Sequence, residues 1–433
     1  MFDAGCYDAC LSFVRGDSTL DETLLGSIAL RRLGRAADAL ALLEIAEEDV
    51  IGAGDDLDCG RFCLERGIAL ATLGDDAAGR SFGLARAFFL RADAPEAPAR
   101  LAELALEEAL AAWNDGDRPS ALASLERSEM QPASETIVRS RQLRGAVAAS
   151  DLDFRGQLEI EHATLREFAA QTRRDVWLEA ATLRTLARVA VDLDERHAAK
   201  LVRQRAEALD WPIAAAPARF DVQRHLGWYE ALRGDPADGR LQLARCRAVA
   251  TSARERVLAL VDAARVAVEF RTGHFEERLA EATDAAESAA WEGVSLVTLE
   301  TLLQLAQLHA GTDRERSRDL VRRYRSLRRA GVTPPEEIAV AIARERYWLG
   351  RAAADRGERA EARRDLQHAF DFYAAVGFPA RAALSAIALT AVGPAEDTRS
   401  YLREHRDRWP GTVLQGHVMR ALDRPWRARS VRR

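Results

Sequence analysis

The cysteines pose the sharpest chemical question in this sequence. Cys6 and Cys10 are four residues apart, as are Cys59 and Cys63, so on helices each pair would share one face. Four thiolates brought together could hold a tetrahedral zinc ion. Structural zinc sites more often use tighter CxxC knuckles on turns, and cysteine is also a common small apolar residue at helix seams. The packing reading is the simpler one, and neither a metal nor another cofactor is expected. Glu159-x-x-His162 has the spacing of half a carboxylate di-iron site. Such bundles need a second pair and two further facing glutamates, and no second pair is present.

Signals for phosphate and nucleophile chemistry are missing. A phosphate-binding loop needs Gly-Lys followed by Ser or Thr, and the single lysine, Lys200, follows an alanine. IGAGDDLDCG offers Gly52 and Gly54, but Leu57 stands where a dinucleotide fingerprint needs its third glycine. The chain contains no HExxH and no GxSxG. With no nucleophile, base and oxyanion donor in view, an enzyme is not expected.

Basic residues are almost entirely arginine, and the C-terminal ALDRPWRARSVRR gathers Arg424, Arg427, Arg429, Arg432 and Arg433 around Trp426. Such a tail could touch an acidic partner or nucleic acid, or simply fray into solvent. The net charge of −6 argues against nucleic acid, whose binders usually carry a basic surplus. No signal peptide or membrane-spanning run is visible, and five cysteines set in helix-like sequence fit a reducing compartment. A cytoplasmic protein is expected.

The elements that would position these residues are helices. At 48% hydrophobic, 30% charged and 6% aromatic residues, with Ala, Leu, Arg and Glu dominant, the composition favours helix, and no alternating strand-like runs occur. The stretch YWLGRAAADRGERAEARRDLQHAFDFYAAVG (347–377) reads as two helices around Gly357. Gly350 in the first and Ala362 in the second let the axes approach, and Leu349, Leu366 and Ala369 close the seam. HLGWYEALRGDPADGRLQLARCRA repeats the pattern with Leu226-Gly227, Gly234, Gly239, Leu243 and Cys246. Further copies turn at Gly34, Gly74, Gly116, near Asp153, near Asp194, at Gly273 and near Thr312. Turns at 34, 74, 116, 153, 194, 234, 273, 312 and 357 recur at a step of roughly 40 residues, the mark of a stacked repeat protein. In GVTPPEEIA, Thr333, Pro334 and Glu336 read as the N-cap, first position and capping box of another helix.

The order Leu-Gly, turn Gly, Ala, Leu, Ala resembles the tetratricopeptide repeat. The step exceeds that family's usual 34, and the proline ending its second helix is mostly missing. The longer step is similar to that of the tetratricopeptide-like arrays in large bacterial regulators of the MalT type and other signal-transducing ATPases. The resemblance implies an all-α, right-handed superhelix (an α-solenoid) of about nine to ten antiparallel helix pairs of roughly 40 residues. Residues 1–20 would form an N-terminal capping helix, 21–392 the array, and 393–433 C-terminal capping helices and an arginine-rich tail.

In that family the first helix of each pair faces a concave groove that holds a peptide or a partner's helix. Carried over by offset from each turn, groove positions include Trp113 and Asn114, Arg184 and Arg188, Asp221, Arg224 and Trp228, and Arg344, Tyr347 and Arg351. Ala354 and Asp355 fall on the same face. Arginine grips carboxylates through a planar fork and aromatics supply anchor area. The expected function is a protein-interaction scaffold binding a protein or peptide segment with acidic groups. The alternative is a regulatory or sensor module acting on a separately encoded output protein. The sequence leaves the oligomeric state open.

Overall fold

A computed structural model of the chain describes residues 7, 11–12, 19–130, 134–170, 175–211, 215–288, 296–328, 338–393 and 396–423. Among the described residues there are 21 helices and no strand. In chain order they begin with α1 (Leu20–Arg32), α2 (Ala36–Ala53), α3 (Asp56–Leu73), α4 (Ala78–Arg91), α5 (Ala97–Asn114), α6 (Arg118–Ser128) and α7 (Ser134–Ser150). There follow α8 (Phe154–Ala170), α9 (Val176–Asp192), α10 (Arg196–Ala208), α11 (Ala216–Arg233), α12 (Pro236–Val249), α13 (Ala253–Phe270) and α14 (Phe275–Ser288). The last are α15 (Leu296–His309), α16 (Arg314–Arg328), α17 (Ile338–Arg356), α18 (Arg359–Ala375), α19 (Pro379–Val392), α20 (Glu396–Glu404) and α21 (Val413–Asp423). No helix among the described residues is long and apolar enough to cross a membrane.

All nine sequence-marked turns fall in breaks between consecutive helices. Gly357 shows why: its φ of +85° lies in the left-handed region, where it ends α17 and its N–H bonds the Ala354 carbonyl. Two of the fainter turns use other residues in that region, Leu152 (φ 63°) and Asp194 (φ 61°). Capping boxes open α1 (Thr19 with Glu22) and α13 (Ser252 with Glu255). The capping box at Thr333–Glu336 lies outside the described residues, as do Cys6, Cys10 and the arginines after residue 423.

The chain forms two compact units, the first of Met1–Val147, Glu159–Thr182 and Leu209–Ala215, the second of Ala148–Leu158, Leu183–Ala208 and Ala216–Arg433. In the first unit α1 pairs with α2, α3 with α4 and α5 with α6, while α3 also packs on both α1 and α5. Its core gathers Leu43, Phe62, Phe82, Phe89 and Leu104, continued by Leu106, Trp113, Leu125 and Leu143. In the second unit α11 pairs with α12, α15 with α16 and α17 with α18, and α13, α15, α17 and α19 pack in succession. The seam residues carry this pairing. A Cβ on Gly350 would stand 2.7 Å from Leu366 Cγ, and one on Gly239 would stand 2.2 Å from the Ala231 backbone nitrogen. The second unit's core runs from Phe154 and Val189 through Leu302, Tyr347 and Leu366 to Trp409, in the connection between α20 and α21, and Val418 of α21. The final helix α21 packs on both α11 and α19.

Candidate functional site

Within the second unit, the inward faces of its helices carry charge as well as apolar bulk. On α11, Arg224 Nε donates to Asp262 Oδ2 of α13 at 2.5 Å, and Trp228 Nε1 donates to Asp262 Oδ1 at 2.9 Å. Arg265, one turn beyond Asp262, lies between two indoles, 4.4 Å from the Trp228 ring centre and 4.6 Å from that of Trp348. It also donates to Gln304 of α15 at 3.1 Å. On α15, Glu300 accepts from Gln304 at 3.0 Å and from Trp348 Nε1 at 3.3 Å. On α17, Arg351 donates to the Tyr347 hydroxyl at 2.8 Å. Most links join first helices of neighbouring pairs, or residues one turn apart on one of them, and Arg265–Trp348 reaches from α13 past α15 to α17.

The end of α9 closes on much later parts of the chain. Asp192 accepts from Arg381 of α19 at 2.5 Å, and Arg344 lies 3.9 Å from its other oxygen. Asp194 accepts from Arg233 (3.1 Å), Arg408 (3.1 Å) and Trp409 Nε1 (2.8 Å). Trp409 is fully buried. Arg233 lies 39 residues from Asp194, about one repeat, but the Arg381, Arg408 and Trp409 contacts span 189, 214 and 215 positions, far beyond one.

Between these links lies a narrow cleft of about 40 Å³. Phe154, Trp348 and Phe378 line its apolar part, and Tyr324 sits in its wall. Its ionic lining is Arg188, Asp192 and Glu300, with Arg344 and an Arg328–Glu345 pair. Burial works to push Asp192 and Glu300 up. Arg381 and Arg344 outweigh it at Asp192, and Arg344, Arg224 and Arg381 at Glu300, so both carboxyls are held below the ordinary carboxylate range. Two buried carboxylates shifted this way report a positive local potential. His225 is also lowered, to about 3, by burial first and then by the Arg224 charge.

Arg344 is the least satisfied cation here. Its guanidinium makes only loose ion pairs, at 3.9 Å to Asp192 and 3.8 Å to Glu300, and its buried Nε has no hydrogen-bond partner among the described residues. The Tyr324 phenol is held above its ordinary pKa by burial and then by hydrogen bonding to the Glu345 carboxylate. The two carboxylates each accept from a donor of their own. The other oxygen of each, Asp192 Oδ2 and Glu300 Oε2, accepts no hydrogen bond among the described residues, so the wall offers spare acceptors beside the Arg344 donors.

The sequence-marked groove residues divide. Arg188 and Arg344 line the cleft, and Arg224, Trp228, Tyr347 and Arg351 belong to the ionic and aromatic network beside it. Arg184 is exposed, one turn before Arg188, and sits beside Asp221, whose carboxyl burial raises. Trp113 is packed in the first unit's core with Leu125 and Leu143, and Asn114 is exposed there, so this pair is not part of the cleft. The partners Asp192, Asp262, Arg265, Glu300 and Arg381 were not singled out from sequence. A usable signal existed for some: Arg224 and Asp262 are opposite charges 38 residues apart, about one repeat.

Of the cysteines, Cys59 donates to the Val50 carbonyl at 3.4 Å, and Cys63 is buried beside it in the first unit's core. Among the described residues no three His, Cys, Asp or Glu side chains converge as metal ligands. No family model matches this chain, and no curated protein matches it.

Proposed function

We propose that the chain is a non-enzymatic helical-repeat module whose second unit binds a compact ligand and signals its presence to a separately encoded output protein in the cytoplasm. In this reading the helix pairs of each unit stack as tetratricopeptide-like repeats with a right-handed progression. One observation carries it: Asp192 and Asp194, at the end of α9, are bonded to Arg381, Arg408 and Trp409 from the last part of the unit. Those bonds favour a bounded cleft over an open trough, and a bounded cleft with aromatic walls and a few polar groups suits a small molecule. A thermal-shift screen of the full chain against metabolites tests the proposal. A specific ligand raises the melting temperature with the logarithm of its concentration over Kd. A screen in which no compound of any charge class stabilises the protein would defeat it.

A protein-interaction scaffold is the second reading. The exposed Arg184, one turn from Arg188, favours it, because a partner's acidic segment could reach Arg184 from solvent. The cleft would then take one anchor side chain of that partner. Arg224 is engaged with Asp262 and Arg351 with Tyr347, so charge reversal at Arg184 is the informative change. It should abolish capture of an acidic partner in a pull-down, with circular dichroism showing that the variant is folded.

A further inference from the structure

Independently of the cleft, we infer that the first unit carries a self-association surface on the outer faces of α2 and α4, and that its occupant is a second copy of this chain. The acidic α2 of each copy lies on the basic α4 of the other, which closes a two-fold dimer.

Both helices are the second members of their pairs, and each packs inward on the first helix that follows it, α2 on α3 and α4 on α5. Leu43 and Val50 of α2 and Phe82, Ala85 and Phe89 of α4 fill the core. The opposite faces are apolar as well. On α2, Ile45 is 74% exposed and Ile51 50%; on α4, Leu84 is 55% exposed and Leu90 69%. A single exposed apolar side chain is ordinary, but a pair on each of two helices of one unit is surface that folding has left uncovered. The two pairs also match. Each spans six residues, about 9 Å along a helix, and each flanks one band of its helix, with Glu48 between the isoleucines and Ala87 between the leucines.

Charge selects the occupant. Helix α2 carries Asp38, Glu44, Glu47, Glu48 and Asp49 and no base, whereas α4 carries Arg80, Arg86 and Arg91 and no acid. Pairs within the chain answer part of this: Arg35 holds Asp38, Arg66 holds Glu47, Arg91 holds Asp56, and Glu108 is shared by Arg86 and Arg127. The other bases close to α2 in the chain fold, Arg31 and Arg61, are held by Glu65 and by Asp21 and Asp58. Asp75 and Asp76 precede α4 and Asp93 follows it, so these acids stand at its ends, and none pairs with its arginines. Glu44, Glu48 and Asp49 on α2, and Arg80 on α4, are exposed and make no ion pair among the described residues. Laying α2 on α2, or α4 on α4, would set like charges together, while α2 on α4 sets opposite ones together. A basic helix of another protein would cover α2 and leave the leucines of α4 in water. A second copy covers both.

The test is sedimentation velocity of the full chain across about 1–100 μM, with circular dichroism to show that each variant is folded. Wild type should reach twice the chain mass and no more. Leu84→Glu combined with Leu90→Glu should weaken the dimer at least about tenfold. Arg80→Glu should weaken it, and so should Glu44→Arg combined with Glu48→Arg. Mixed in equal amounts, these two charge variants should dimerise again, because acid then meets base at both contacts of the mixed pair. Loss of fold cannot produce that recovery. A wild type that stays monomeric would overturn the inference and leave the face to a different protein. Assembly beyond the dimer would overturn the two-fold arrangement, since a head-to-tail contact propagates. A dimer undiminished in the folded leucine variant, or charge variants that do not pair on mixing, would place self-association elsewhere on the molecule.

Discussion

At the scale of single residues, the environment of a side chain decides what it can do. His225 on α11 is neutral in the folded protein, since burial and then Arg224 lower its pKa to about 3. In the unfolded chain a histidine titrates near 6.5. Between those values the unfolded chain takes up a proton that the folded protein refuses, so this group makes stability fall as pH falls. The slope is about 1.4 kcal/mol per pH unit, starting below about pH 6.5. Urea unfolding of wild type and His225→Gln across that range should therefore give a stability difference that changes with this slope, wild type losing more. A difference independent of pH would show that His225 is protonated in the fold. The cysteines behave as core groups by the same logic. Burial pushes the thiol of Cys63 up to about 11 and that of Cys246 up to about 12, and Cys59 also lies above its ordinary value. With Cys6 and Cys10 replaced by serine, Ellman's reagent should find no reactive thiol in native buffer and three in denaturant. One fast native thiol would contradict this burial. That Cys59 and Cys63 share a helix face was legible in their spacing; that the face is turned into an apolar core was not.

Helices and their seams are the scale at which the sequence was most readable, because packing there is local. A left-handed glycine and a small residue at a crossing each leave a mark in composition at a fixed distance. Gly350 and Gly357 do different work, and substitution separates them. A Cβ at Gly350 would press on Leu366 Cγ at 2.7 Å and on the Leu366 backbone nitrogen at 2.9 Å, so α17 and α18 would have to move apart. Gly350→Val should cost about 3 kcal/mol as overpacking. At Gly357 a Cβ meets open space, and only the positive φ resists it. Gly357→Ala should cost about 1 kcal/mol. Urea titrations of both variants check the order, and a costlier Gly357→Ala would reverse the roles assigned to seam and turn. The turns at Leu152 and Asp194 were fainter in sequence for a physical reason. Neither relies on glycine, and Asp194 is fixed instead by hydrogen bonds to Arg233, Arg408 and Trp409. A conformation held by distant partners leaves no local signature.

Over the whole of the second unit, the decisive contacts are those that no repeat spacing encodes. Offsets from the turns brought Arg188 and Arg344 to the cleft, because both lie on first helices at regular steps. The same offsets were silent on Arg381 and Trp409, which reach the end of α9 from 189 and 215 residues away. That closure changes what the groove arginines face: Arg224 and Arg344 have buried acids of their own chain before any partner arrives. If the Asp192–Arg381 pair holds the two ends of the unit together, its members must be coupled energetically. Removing one partner of a buried pair leaves an uncompensated charge and costs about 3–5 kcal/mol, whereas removing both is much milder. Asp192→Asn should therefore be strongly destabilising, Arg381→Met should be comparably so, and the double variant should fall well short of their sum. A coupling of about 2 kcal/mol in a double-mutant cycle fits a direct, desolvated contact. The Asp192 side chain is 5% exposed and that of Arg381 28%, so solvent screens the pair only in part. A cycle that closes additively, within about 0.5 kcal/mol, would mean that α9 and α19 are held together by the apolar core alone. The cleft would then owe its boundary to Phe154, Val189 and Phe378 rather than to charge.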